Sequence, residues 1–363
     1  MSVSNQSAID LLHDLVATPS VSGDEHAAVL LLVQRLTQLG YRAHIDDAGN
    51  AVGVLGSDDP DAVEIMLLGH IDTVPGHIPV RIEDGTLWGR GSVDAKGPLA
   101  AFAMAAASTD IPEGARLVVI GAVGEETPTS PGAQHVRDAY RPHACIIGEP
   151  SGWDRFTIGY KGRLLVHAAF TQDCGHTAGP VGSVAERGLA WHRRVSAHIQ
   201  EWNLGRQGAF DTIQPNLQRF STTSDGLRDT AQLTLGLRLP TWRDAHEVER
   251  DVRDISVDGE LTFLGHAPAH RGPRTGPLAN ALSHAIGTQG GRPIATVKTG
   301  TSDMNTVAAS FDCPIVAYGP GDSTLDHTPH EHLDLSEYLR TIAVLRSAIP
   351  ELVASLSPAR CVT

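Results

Sequence analysis

Residues 63–72 read VEIMLLGHID, a near-apolar run of strand length over 63–68 that breaks into glycine, histidine and aspartate. The same figure recurs three times. RLVVI (116–120) runs into GAVGEE, ACII (144–147) into GEP, and PIVAY (314–318) into GPGDSTLDHTPHEH. Short apolar runs separated by helical segments are how the buried strands of a parallel sheet read. In such sheets the ligand crevice lies beyond the carboxyl ends of the strands. Four strands therefore deliver His70, Glu125, Glu126, Glu149 and His327 to one edge. Asp94 joins them from the loop GRGSVDAKGP (89–98).

Helical patterns surround these strands. Residues 7–17 are amphipathic and stop at Thr18-Pro19. Ser22 and Glu25 read as a capping box opening a second helix, with Val29, Leu32, Val33, Leu36 and Leu39 on its apolar face and Gly40 closing it. Strands are expected at 42–45 and 51–55, a buried alanine-rich helix at 98–107, and later helices at 278–286 and 336–348. From about residue 163 the character changes. Alternating stretches LLVHAAF (164–170) and AQLTLGLRLP (231–240) flank a long helical segment, 183–202, which suits helices on an antiparallel sheet. The expected architecture is α/β: a catalytic domain of residues 1–160 and 271–363 with a mostly parallel sheet flanked by helices, and an inserted α+β domain at 161–270.

Composition narrows the function classes. The 363 residues carry 28 basic and 42 acidic side chains, a net charge of −14. That excludes the clustered positive surface of a nucleic-acid or anionic-membrane binder. No run approaches the ~20 apolar residues of a membrane span. The opening MSVSNQSAIDLLHDL lacks the basic and apolar regions of a signal peptide. Cys145, Cys174, Cys313 and Cys361 are scattered without a CxxC pair, which suits reduced thiols and a cytoplasmic location. Only three of the basic residues are lysine: Lys96, Lys161 and Lys298.

Two histidines with several carboxylates and no cysteine suit a catalytic zinc pair. One carboxylate can bridge ions ~3.5–4 Å apart, and an acidic neighbour that is not a ligand can deprotonate the water between them. Glu125-Glu126 supplies that adjacent pair. Asp72, two residues beyond His70, can accept the imidazole's other N–H and fix its tautomer. Each residue alone has a plainer reading as a surface polar group, and His327 competes with His330 and His332. It is their joint placement at strand ends that carries the reading.

GHIDTVPG (69–76), GRGSVDAKGP, GEE (124–126), GEPS (148–151), GHTAGP (175–180) and KTGTSDMN (298–305) resemble the dizinc amidohydrolases of the acetylornithine deacetylase, succinyl-diaminopimelate desuccinylase and carboxypeptidase-G type. Within that family, GEPSGWD, GYKGRL and the 318–332 loop are most similar to hydrolases that release lysine or ornithine from an amino-group carrier protein. The resemblance implies two Zn²⁺ per subunit, replaceable by Co²⁺. His70, Asp94 and Glu149 would hold one ion and Asp94, Glu126 and His327 the other. Glu125 would be the general base. His176, from the inserted lid and dimerisation domain of a homodimer partner, would donate to the oxyanion. A cis peptide after Asp94 is also implied. Thr177 stands where serine is frequent in the family.

Lys161, Arg163, Arg238, Gly300 and Thr301 are the candidates for receiving a substrate carboxylate. The implied substrate is an acidic LysW-type amino-group carrier protein bearing lysine or ornithine on its terminal glutamate. The alternatives are a small-molecule N-acyl-amino-acid deacylase, a dipeptidase or carboxypeptidase, and a non-catalytic metal-binding homologue. A carrier of that kind and a chain of charge −14 repel at long range, so a local basic patch is needed; Arg187, Arg193 and Arg194 along 183–202 are its candidates.

Overall fold

The strand Val63–His70 is buried at every position. It pairs in parallel with Ala115–Ala122 on one side and Ala144–Gly148 on the other, and the latter pairs in parallel with Ile315–Ala317. Ala51–Gly56 and then Arg42–Ile45 extend the sheet by antiparallel pairing. These positions come from a computed structural model that describes residues 4–357 apart from Thr177 and Pro180. Cys361, like Thr177, lies outside the described residues; Cys145, Cys174 and Cys313 are free.

Register puts the four parallel strand ends level. Gly69 lies opposite Gly121 and Gly148, His70 opposite Ala122, and Ala317 opposite Ile147. The three glycines make a floor for the helix Lys96–Ala107. A Cβ on Gly69 would stand 3.2 Å from Leu99, and one on Gly148 only 2.9 Å from the Phe102 ring. That close approach explains why each strand reaches its functional end through glycine. The alanine-rich helix is almost wholly buried, between the sheet and the helices Asn5–Ala17 and Leu335–Leu356. Lys96, at its first position, is 1% exposed, and its ammonium donates to the carbonyls of Leu15 and Thr18 at 2.9 and 2.7 Å. A cation there satisfies orphan carbonyls at the end of Asn5–Ala17.

Two helix expectations are corrected. The helix His26–Gln38 begins behind Glu25 with no side-chain cap. Glu25 accepts from the Gly23 N–H, and the Ser22 hydroxyl instead donates to Asp72 at 2.6 Å. A charged acceptor outcompetes a capping bond for that hydroxyl. The last helix does not stop at 348 but runs Leu335–Leu356 through Pro350, because Leu352 and Val353 are buried in the core beyond the proline.

By contacts the chain forms two units: Met1–Gly159, Gly272–Val297 and Ser302–Thr363 make one, and Tyr160–Arg271 with Lys298–Thr301 the other. Lys298–Thr301 thus leaves the catalytic segment to which the sequence reading assigned it. The second unit is a four-stranded antiparallel sheet in the order Gln214–Ser224, Arg228–Leu239, Gly162–Asp173, Glu260–Ala267. The helices Val184–Trp202 and Ala245–Asp254 contribute Trp191, Val195, Ile199, Val248 and Val252 to its core, with Phe170 and Leu235 from the strands. Strand Gly162–Asp173 alternates buried and half-buried positions over most of its length, as a sheet with one covered face requires. The described residues include no helix long and apolar enough to cross a membrane.

Candidate active site

Asp94 stands between two imidazoles of the first unit. Its Oδ1 lies 3.1 Å from His70 Nε2 and its Oδ2 3.0 Å from His327 Nε2. His327 Nε2 is also 2.9 Å from Glu126 Oε1, and one ligand atom each from Asp94, Glu126 and His327 fall within 4.8 Å of one another. His70 closes the strand Val63–His70, while His327 sits in a left-handed backbone conformation, φ 62°. The peptide between Asp94 and Ala95 is cis. Neither His330 nor His332 belongs to this cluster; His332 packs its ring on Trp88.

Asp72 has a wider task than orienting an imidazole. His70 Nδ1 donates to the backbone carbonyl of Asp72 at 3.0 Å, with the carboxylate 3.5 Å away. That carboxylate instead accepts the backbone N–H groups of Glu125 at 3.0 Å and Glu126 at 3.1 Å, together with the Ser22 hydroxyl. It is fully buried. One aspartate therefore holds the segment that carries both glutamates.

Sequence reasoning passed over Glu331, although it lies between two histidines it did weigh. Glu331 is wholly buried; its Oε1 accepts the N–H groups of Val93 and Asp94 at 3.0 and 3.1 Å, and its Oε2 pairs with Arg90 at 2.7 Å. Asp303 was passed over too. It is 2% exposed with Oδ1 unpartnered, and burial with the neighbouring Asp72 and Glu126 carboxylates pushes it up to about 7.

Asp72 and Asp94 face His70, Asp94 and Glu126 face His327, and Glu125 interacts electrostatically with His70, Asp303, Glu149 and Glu126. Burial holds Glu125 well above the ordinary carboxylate range, opposed by His70 and reinforced by Asp303, Glu149 and Glu126. Hydrogen bonds to Asp94 and Glu126 raise His327 to about 10 against the effect of burial. His70 is also raised: burial lowers it most, but Asp72 and Asp94 prevail. A site that gathers this much negative charge and holds protons on its imidazoles is built for cations. Nitrogen and carboxylate donors without thiolate match a first-row divalent metal, zinc among them.

The second unit holds the other candidates. Lys161 is buried, and its ammonium donates to the carbonyls of Ala209 and Thr212 and to Gln214 Oε1 at 3.2 Å. Thr301 Oγ1 donates to the Lys161 carbonyl at 3.3 Å and accepts from Arg238. Lys161, Arg238 and Thr301 are thus brought together, with Gly300 in the adjoining turn. His176 is exposed, its Nδ1 accepting from the Ala178 N–H at 3.1 Å. Arg187 is paired with Asp258 at 2.6 Å; Arg193 is exposed and Arg194 half-buried.

An α/β unit whose strand ends converge acidic and imidazole donors around one bridging aspartate defines a metallohydrolase class. The chain belongs to peptidase family M20/M25/M40, whose model matches residues 66–351. It is 46% identical over 362 residues to a LysW-lysine hydrolase of Deinococcus radiodurans, covering 96% of this chain and 98% of that one. It is 38% identical to a putative LysW-lysine/LysW-ornithine hydrolase of Thermococcus kodakarensis, covering 96% and 93%. Among solved structures, the fold is similar to an M20 family metallo-carboxypeptidase of Sulfolobus solfataricus, with TM-score 0.77, 16% identity, and 96% and 99% coverage. It is also similar to a dinuclear metal binding M20 peptidase of Bacillus subtilis, with TM-score 0.67, 14% identity, and 97% and 98% coverage.

Proposed function

We propose that this chain is a zinc-dependent amide hydrolase that frees lysine, or ornithine, from the terminal glutamate of an acidic LysW-type carrier protein. The observation that supports it most is Asp94, whose two oxygens each face a different imidazole, as a ligand shared by two ions would. Identity to carrier-protein hydrolases over nearly the full chain favours the carrier over a small N-acyl amino acid.

His70, Asp94 and Glu149 would hold one zinc, and Asp94, Glu126 and His327 the other; cobalt would serve in their place. Bound there, the pair would supply Lewis acidity toward the amide carbonyl. Glu125 takes a proton from the attacking water and returns it to the leaving amine, a task that its raised pKa suits. Asp72 fixes the backbone of Glu125, and Glu331 that of Asp94. His176 of the partner in a homodimer donates to the developing oxyanion. Lys161, Arg238, Gly300 and Thr301 form the region that receives the glutamate carboxylate, and Arg193 and Arg194 offer positive charge to the carrier. The free thiols support a cytoplasmic setting.

The test is a comparison of substrates. Zinc-loaded enzyme is incubated with carrier-linked lysine, carrier-linked ornithine, N-acetyl-lysine, N-acetylornithine and succinyl-diaminopimelate. Amino-acid release is expected from the carrier alone. Fast release from a small substrate with none from the carrier overturns the reading.

A further inference from the structure

The second unit carries a cluster that none of this chemistry uses. His246 and Glu249 stand three residues apart on the helix Ala245–Asp254, a spacing that places them on one face. His266 faces them from the strand Glu260–Ala267. One ligand atom from each of the three lies within 4.8 Å of the others. His266 Nε2 is 2.6 Å from Glu249 Oε2, and the His246 and His266 rings stack with centroids 4.5 Å apart and planes inclined by 17°.

The two oxygens of Glu249 have separate occupations. Oε1 accepts from Arg253 Nε and Nη2 at 3.0 and 2.7 Å, and Arg253 rests over the Phe263 ring at 4.5 Å. Oε2 is the oxygen turned toward the imidazoles. An outer partner that anchors one carboxylate oxygen and aims the other is the arrangement found around metal-ligating carboxylates. A plain histidine–glutamate ion pair, by contrast, needs one imidazole. It gives no reason to bring a second ring face to face with the first, since two imidazolium charges at that separation repel. Deprotonated, the two rings would each offer one nitrogen lone pair beside a carboxylate oxygen.

We propose that His246, Glu249 and His266 bind a divalent first-row transition-metal ion, separate from the pair assigned to the first unit. Two imidazoles and one carboxylate, without thiolate, are a zinc-class donor set. His246 is exposed and the other two half-buried, so the fourth position is open to water. Because the ligands come from a helix and from an edge strand of the sheet, the ion ties the helix Ala245–Asp254 to the strand Glu260–Ala267.

The experiment titrates chelator-stripped full-length protein with Zn²⁺ alone and counts bound ions per chain after gel filtration. Wild type should retain one ion more than His266→Ala, and one more than His246→Ala, whose exposed side chain leaves the core untouched. Zinc should also raise the Tm of wild type further than that of either variant, and basal turnover should not change. Equal ion counts in wild type and both variants overturn the site. Asp94→Ala, with and without His266→Ala, separates the two readings. A difference of one ion between those proteins supports this site whatever happens at the first unit.

Discussion

Glu331 holds the backbone of Asp94: one carboxylate oxygen accepts the Asp94 N–H at 3.1 Å and the Val93 N–H at 3.0 Å, 237 and 238 residues away in sequence. The other oxygen is bound by Arg90, only 13% exposed. The aspartate that faces both imidazoles is thus positioned from behind by a buried ion pair. Removing one partner of such a pair leaves an uncompensated charge and costs about 3–5 kcal/mol. Glu331→Ala is expected to lose stability on that scale in urea denaturation and to bind metal more weakly. Glu331→Gln, which keeps an acceptor for the two N–H groups, should recover part of the metal affinity. Unchanged metal affinity in the alanine variant would remove the positioning role.

Glu125→Gln should keep its metal while kcat falls by about 10²–10⁴. Metal analysis beside steady-state kinetics checks this, and near-normal turnover would sink the general-base assignment.

Asp72→Asn places an amide where two backbone N–H groups and a hydroxyl donate to a carboxylate. The amide nitrogen cannot accept, so one of the Glu125 and Glu126 bonds is lost. A fall in kcat of at least about tenfold, with KM little changed, is expected for an interaction that matters in the transition state. Ser22→Ala, which removes one of the three donors, should show the same direction with a smaller effect. A change confined to KM would argue that Asp72 acts on substrate binding.

The raised pKa of His327 gives metal binding a pH dependence of known sign. Its value of about 10 in the metal-free protein lies above the ordinary 6.5. Its protonation therefore contributes stability that is fully present below pH 6.5 and is lost as pH rises through about 10. A metal needs the same nitrogen without its proton, so affinity should climb across that window and protons should be released on binding. Calorimetry of zinc binding at pH 8, in two buffers of different ionisation enthalpy, reads that release directly. Zero net release would exclude His327 as a ligand.

Lys161 separates two roles. Its ammonium serves Ala209, Thr212 and Gln214, so Lys161→Met should cost about 3 kcal/mol by leaving these acceptors unpaired. Arginine should not rescue it, because a planar guanidinium cannot replace a compact ammonium among three converging acceptors. A raised KM beside the lowered denaturation midpoint is expected if the same ammonium also receives the carboxylate, and an unchanged KM would remove it from that region.

The strand ends were legible because an apolar run breaking into Gly-His or Gly-Glu is a local pattern, and parallel pairing levels such ends without further information. Glu126, His70 and His327 accordingly meet Asp94. Ser22 was misread because its partner, Asp72, lies 50 residues away, while the capping box it resembles is local. Glu331 gave no signal for the same reason: its neighbours in sequence are histidines, but its partners are Arg90, Val93 and Asp94. The stop expected near Pro350 failed because buried Leu352 and Val353 outweigh one missing helical hydrogen bond. What stayed hidden was in each case a contact between residues far apart in the chain.

Of the three lysines, Lys96 and Lys161 are buried with their ammonium groups enclosed by carbonyls. Lys298, the third, is half-buried. Succinimidyl dyes will label sparingly, lysine-specific proteases will cut the native chain slowly, and lysine-to-lysine cross-linkers will trap a bound partner inefficiently. Capturing such a complex calls for another handle, and the exposed thiol of Cys174 offers one.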